Sequence, residues 1–305
     1  MRKRLWHLVQ VIAGLAIVFF VARYVVRNWD QVREADLAWR LSPLHLLGGI
    51  GLIWLVLALQ AEAWRRMVRA WGRGLGWFDS ASIWLLSSMA KYIPGKVWAL
   101  TGMAVMAERK GIPAWAATAS ALLLQVVSVG TAALVVAGSG FAVLRPHGIG
   151  TAVLMGLALG SLIVIGLVLW PPVTTRLVRL VAPKADLTHI PGWRVVTEGA
   201  LVNLFAWIGF GVSFWLFSRG ALPEAPLGLT HAIAAFTASY VAGMIAPFAP
   251  GGLGVRESIL VIALQGSLGL ANALGVAAVS RIGSTAAEVV ATIPFLVRGR
   301  EIQRG

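Results

Sequence analysis

Apolar stretches of about 20 residues recur along this chain, and a helix of that length crosses a hydrocarbon core about 30 Å thick. In lipid an unpaired backbone amide finds no water, so such a segment closes its hydrogen bonds within itself as a helix. Charged residues make up 12% of the chain and mean hydropathy is +0.81, too little charge to cover a soluble surface. The expected fold is an all-α polytopic membrane protein, a single integral membrane domain over residues 1–305.

Six stretches read as complete spans, at about 5–26, 44–64, 114–138, 150–170, 196–217 and 271–297. The start, Met1-Arg2-Lys3-Arg4, mimics a signal peptide, but the run from Leu5 to Val26 is too long and no small-x-small cleavage site follows it. It reads as a retained first span. Two further regions, about 79–110 and 230–268, are apolar but broken by Pro-Gly. Their arms of about 13–17 residues reach roughly 20–25 Å at 1.5 Å per residue, short of the core thickness. Each pair therefore reads as a re-entrant hairpin, with Asp79-Ser80 and Thr230 as N-caps of the entering arms.

Net charge is +14, but the cations sit mostly in short loops, which reads as membrane orientation and not as nucleic-acid binding. With the N-terminus inside, the inner segments hold 16 Lys and Arg and the outer segments hold six, so both termini are expected in the cytoplasm. The first hairpin then enters from the cytoplasm and the second from outside. Each half reads span, span, hairpin, span, which makes residues 1–138 and 150–305 an inverted repeat. The chain has no cysteine, and its five histidines lack metal-ligand spacing, so no cofactor or metal is expected.

Other features read as membrane fittings. Trp6, Trp29, Trp39, Trp64, Trp71, Trp115, Trp170 and Trp193 fall near predicted interfaces, as an aromatic belt would. Gly156-x-x-x-Gly160 has the spacing of a close helix contact, and also a spacing that chance supplies among 34 glycines. A homo-oligomer is compatible with it. Residues 171–195 read as a basic, Pro-containing loop.

The breaks carry the candidate chemistry. Helix starts leave N–H groups unpaired at the positive end of the helix dipole, and an anion is their natural partner. The first break holds Lys91, Pro94, Gly95 and Lys96; the second holds Pro250, Gly251, Gly252, Gly254, Arg256 and Glu257. Arg256 and Glu257 are adjacent, so they face different partners. Arg256 is expected to contact substrate, and Glu257 to balance a cation of the other half or to take up a proton. Arg281, Ser284, Thr285 and Glu288 follow i, i+3, i+4, i+7 spacing on one helical face of the last span. A charge at that depth faces either a cavity or a partner, such as an Arg–Glu bridge between helices; Glu198 and Asn203 are candidate partners. The chain contains no phosphate loop and no Gly-x-Ser-x-Gly elbow.

Lys91-Tyr92-Ile93-Pro94-Gly95-Lys96-Val97-Trp98 and Pro250-Gly251-Gly252-Leu253-Gly254-Val255-Arg256-Glu257 resemble the lysylphosphatidylglycerol synthase transmembrane-region family, and the resemblance covers most of the chain. It implies a flippase-like protein of the bacterial inner membrane with two re-entrant elements around a lipid cavity. In the full synthase an aminoacyl-transferase domain follows the membrane part; here the chain stops at Gly305, so a stand-alone member without synthase activity is expected. The function read from motifs and resemblance together is transport of an anionic or aminoacylated phospholipid, or a polyprenyl-phosphate-linked lipid, between leaflets. Two alternatives remain open on the residues alone. One is a lipid-modifying enzyme with Glu257 as base. The other is a lipid-binding partner subunit of a transferase, docked through basic loops that include Arg65, Arg66 and Arg69.

Overall fold

The computed structural model describes residues 41–93, 97–143, 150–183, 185, 187–224, 226–246 and 249–302. Ten helices run through them: α1 (Pro43–Ala70), α2 (Trp77–Met89), α3 (Trp98–Glu108), α4 (Ala114–Val143), α5 (Thr151–Leu169), α6 (Pro171–Val181), α7 (Trp193–Ala221), α8 (Leu229–Ile245), α9 (Val255–Leu268) and α10 (Leu270–Ile302). Five of them, α1, α4, α5, α7 and α10, are long and apolar enough to cross a membrane. They match five of the six predicted spans, and the sixth, at 5–26, lies outside the described residues.

Both predicted breaks are present. The arms α2, α3, α8 and α9 have 13, 11, 17 and 14 residues. At 1.5 Å per residue none exceeds about 26 Å. A 3₁₀ turn at Ala90–Tyr92 follows α2, and another at Pro250–Gly252 lies between α8 and α9. In each pair the far ends meet. Asp79, in the first turn of α2, pairs with Lys110, just past α3, at 2.8 Å. His231 Nε2, in the first turn of α8, lies 3.1 Å from the Ala263 carbonyl in α9.

The expected N-caps are not used. Gly76 and Gly228 occupy the cap positions in extended conformation, without side-chain cap bonds. Asp79 is committed to Lys110, and Ser80 Oγ donates to the Gly76 carbonyl. The predicted loop at 171–195 contains α6, whose first turn begins with Pro171 directly after Trp170.

The described residues form two compact units. One lies within Met1–Ile53, Lys91–Lys96 and Phe210–Ala287; the other within Trp54–Ala90, Val97–Gly209 and Glu288–Gly305. The core of the first is built from Phe214, Leu227, Phe236, Leu260, Leu264 and Val276. Gly211 sets a close backbone approach: a Cβ there would sit 2.7 Å from the Ile233 Cα. This is the small-residue contact that lets membrane helices approach closely.

The second unit is organised by indoles. Trp64 Nε1 donates to the Ala117 carbonyl at 3.1 Å, and Trp71 Nε1 donates to Ser120 Oγ at 3.0 Å. Trp71 also meets Trp115 edge to face, with centroids 5.4 Å apart. Trp64 and Trp71 are therefore core pins and not belt residues, because a buried indole needs a partner for its N–H and here has one. Trp170 and Trp193 are 58% and 61% exposed, in keeping with an interfacial place. Gly156 and Gly160 face open space, since a Cβ at either position would have nothing within 4 Å, so they form no seam within the described residues.

Gly211→Ala is expected to destabilise the protein by about 1–3 kcal/mol through overpacking against backbone. Gly102→Ala, which meets nothing within 4 Å in α3, should be neutral or stabilise by a few tenths to about 1 kcal/mol. Thermal unfolding of the two variants in the same detergent checks both.

Candidate functional site

The site residues that cluster all belong to the first compact unit, and the second break supplies their scaffold. Gly251, Gly252 and Gly254 have φ of 59°, 72° and 80°, in the left-handed region that a Cβ disfavours. Three such residues within four positions explain why the chain is glycine-rich here. They turn the backbone out of α8 and aim the start of α9 back at the turn.

Glu257 completes that helix start. Its Oε2 accepts from the Gly254 N–H at 2.7 Å, satisfying one of the donors an α-helix leaves open at its N-terminus. Its Oε1 lies 3.5 Å from Arg281 Nε. The Arg281 side chain also donates from Nη2 to the Gly251 carbonyl at 3.0 Å. One guanidinium from α10 thus holds both the carboxylate that caps α9 and the carbonyl at the centre of the break.

The first break reaches the same place. The Arg281 guanidinium lies 5.9 Å from the Tyr92 ring centroid, and the Lys91 ammonium lies 5.3 Å from that ring. A Cβ on Gly251 would come within 3.0 Å of the Tyr92 ring. Tyr92 thus packs on the turn of the second break, so residues of both interruptions meet. Cation–ring contacts of this kind gain strength away from water.

Arg256 points elsewhere. Its guanidinium lies 4.2 Å from the Tyr240 ring and 5.2 Å from the Phe236 ring of α8. The residue is 8% exposed, and its stem fills the space beside Gly243 and Gly252. Adjacent Arg256 and Glu257 do have separate partners, as the helical geometry requires. The cation Glu257 balances belongs to its own half of the sequence, Arg281, and not to the other half. This ion pair is an interhelical Arg–Glu bridge, one of the two readings of Arg281. It also engages both oxygens of the one carboxylate put forward as a catalytic base.

Pro94, Gly95 and Lys96 lie outside the described residues. Pro250 opens the 3₁₀ turn. Glu288 is buried and falls in the other unit. Glu198 pairs with Arg66 at 2.9 Å, and Asn203 Nδ2 donates to the Gly199 carbonyl at 2.9 Å; both lie in the second unit, whereas Arg281 lies in the first. Glu62 holds both Arg65 and Arg66, at 2.6 and 2.9 Å, which makes a four-member charge chain with Glu198 in the second unit. That chain borders an apolar cavity of about 270 Å³ lined by Leu59, Val195, Leu201 and Phe205. Sequence reasoning did not single out Tyr92, Phe236 or Tyr240 as site residues: Tyr92 stands within the first break's motif without a role of its own, and the spacing of Phe236 and Tyr240 looks like ordinary apolar helix.

The family description "Lysylphosphatidylglycerol synthase TM region" matches residues 11–291. The chain belongs to that family. A search among curated proteins found no match. Membership in the synthase membrane-region family and the five apolar helices together make this a multi-pass membrane protein with a lipid-related role.

Glu257→Ala is expected to cost about 2 kcal/mol, through a lost helix cap and a part-buried guanidinium left without its carboxylate. Glu257→Gln keeps an oxygen for the Gly254 N–H and should cost less. The two thermal midpoints, compared at equal detergent, test the order.

Proposed function

We propose that this protein moves a phosphate-bearing lipid between leaflets, with the meeting point of the two breaks as its headgroup site. The reading rests on one observation above all. Tyr92 of the first break packs on Gly251 of the second, beside the Arg281 and Lys91 cations. Interrupted apolar segments at corresponding places in two halves are the best sequence pointer to a transporter's binding site.

In this proposal the two broken pairs are re-entrant hairpins, and residues 1–138 and 150–305 are inverted repeats. Both termini are cytoplasmic, in a bacterial inner membrane. Lys91, Lys96 and Arg281 hold the phosphate, with Pro94-Gly95 and Pro250-Gly251-Gly252-Gly254 around it. Arg256 braces the turn through its aromatic contacts. Glu257 and Glu288 supply counter-charge. An anionic or aminoacylated phospholipid fits such a site, and so does a polyprenyl-phosphate-linked lipid. The acyl or prenyl tails stay in the bilayer while the headgroup passes, and rocking of one repeat against the other alternates access. The chain carries no nucleotide-binding motif, so the movement runs downhill or is coupled to an ion gradient.

The test is a leaflet assay in vesicles containing the reconstituted protein and a headgroup-labelled anionic phospholipid. Lys91→Ala, Lys96→Ala and Arg281→Ala should each lower the rate of transfer at least tenfold. Circular dichroism and thermal midpoint identify any variant that has merely unfolded, and Lys91→Arg, which keeps the charge, should retain most of the transfer rate. Wild-type rates in all three folded alanine variants would end the proposal.

A further inference from the structure

We propose that α6 is an interfacial helix that binds anionic phospholipid headgroups at the membrane surface. Its place argues for this first. α5 is a candidate span, and α6 begins one residue after it, past a single extended residue, Trp170, with φ −86° and ψ 112°. A residue before proline is pushed out of the helical region, so the chain bends sharply where the span ends. Thus α6 starts at the level of the headgroups.

The helix has three distinct flanks. Thr174 and Val178, at i, i+4, are buried; Thr174 Oγ1 donates to the Val168 carbonyl at 2.7 Å and seats α6 against the end of α5. Arg176 and Arg179, at i, i+3, are exposed on a second flank. Leu177 and Leu180, also at i, i+3, are exposed on a third, and Leu180 is 78% exposed. In water the leucine flank would be an uncovered apolar strip beside two cations. At an anionic bilayer surface both are satisfied, because leucines reach the acyl boundary while guanidiniums hold phosphates. The exposed indole of Trp170 stands at the same junction, as interfacial tryptophans do.

The chain has no cysteine, so a single one can carry a probe. Leu180→Cys, spin-labelled and reconstituted in vesicles of phosphatidylglycerol, should collide readily with dissolved oxygen and poorly with a water-soluble nickel chelate. The second arm compares lipid retained by the full chain from equal mixtures of phosphatidylglycerol and phosphatidylcholine, read by native mass spectrometry. Arg176→Gln with Arg179→Gln should reduce the preference for the anionic lipid by about fivefold per arginine, and added salt should shrink the difference. Free access of nickel to position 180 overturns the proposal. So does shielding from both nickel and oxygen, which would mean a protein cover, and so does an unchanged lipid preference in the double variant. Depth and retention are read without any transfer assay, so this result stands or falls apart from the proposed lipid movement.

Discussion

A guanidinium in the apolar interior of a membrane protein is expensive unless it is fully engaged, and Arg281 is the group on which the described part of the first unit turns. It meets a carboxylate, a backbone carbonyl and an aromatic face, each from a different segment. The carboxylate is itself occupied by the N-cap N–H of α9. The contacts are interdependent: the turn of the second break presents the Gly251 carbonyl only because three glycines accept left-handed backbone, and that carbonyl orients the side chain that steadies the cap. Non-helical backbone in the apolar interior of a membrane protein survives only where protein or a wet cavity satisfies it.

Elsewhere the fold uses ordinary packing devices. Glycines such as Gly211 and Gly199 admit a neighbouring side chain or backbone to within 2.7 Å of where a Cβ would stand. Indoles serve as long apolar fillers with one donor each, which is why Trp64, Trp71 and Trp207 all end on an oxygen of another helix. The Gly211 contact seats the short arm α8 against α7.

The spans are legible because hydropathy over 20 residues is a strong signal; α1, α4, α5, α7 and α10 begin within a few residues of their expected limits. The breaks are legible because an adjacent Pro-Gly pair, unlike a lone glycine, is hard to accommodate inside a continuous helix. The caps mislead because Asp79, Ser80 and Thr230 look like caps in sequence, while the true cap glycines carry no side chain to announce themselves. The helix α6 reads as loop since two prolines and two arginines in eleven residues suppress hydropathy, although its i, i+3 and i, i+4 pairs are there to be counted. The partnership of Tyr92 with Arg281 leaves no trace at all, because it depends on tertiary proximity and not on spacing.

The packing of Tyr92 on Gly251 joins points separated by about half of the chain. During synthesis the early interruption is therefore made long before the partner that covers it exists, and the guanidinium that braces both arrives later still. Until the last helix is added, the Tyr92 ring lacks the Arg281 guanidinium that lies over it in the finished protein. This corner of the first unit is therefore completed only once residue 281, near the end of the chain, is in place.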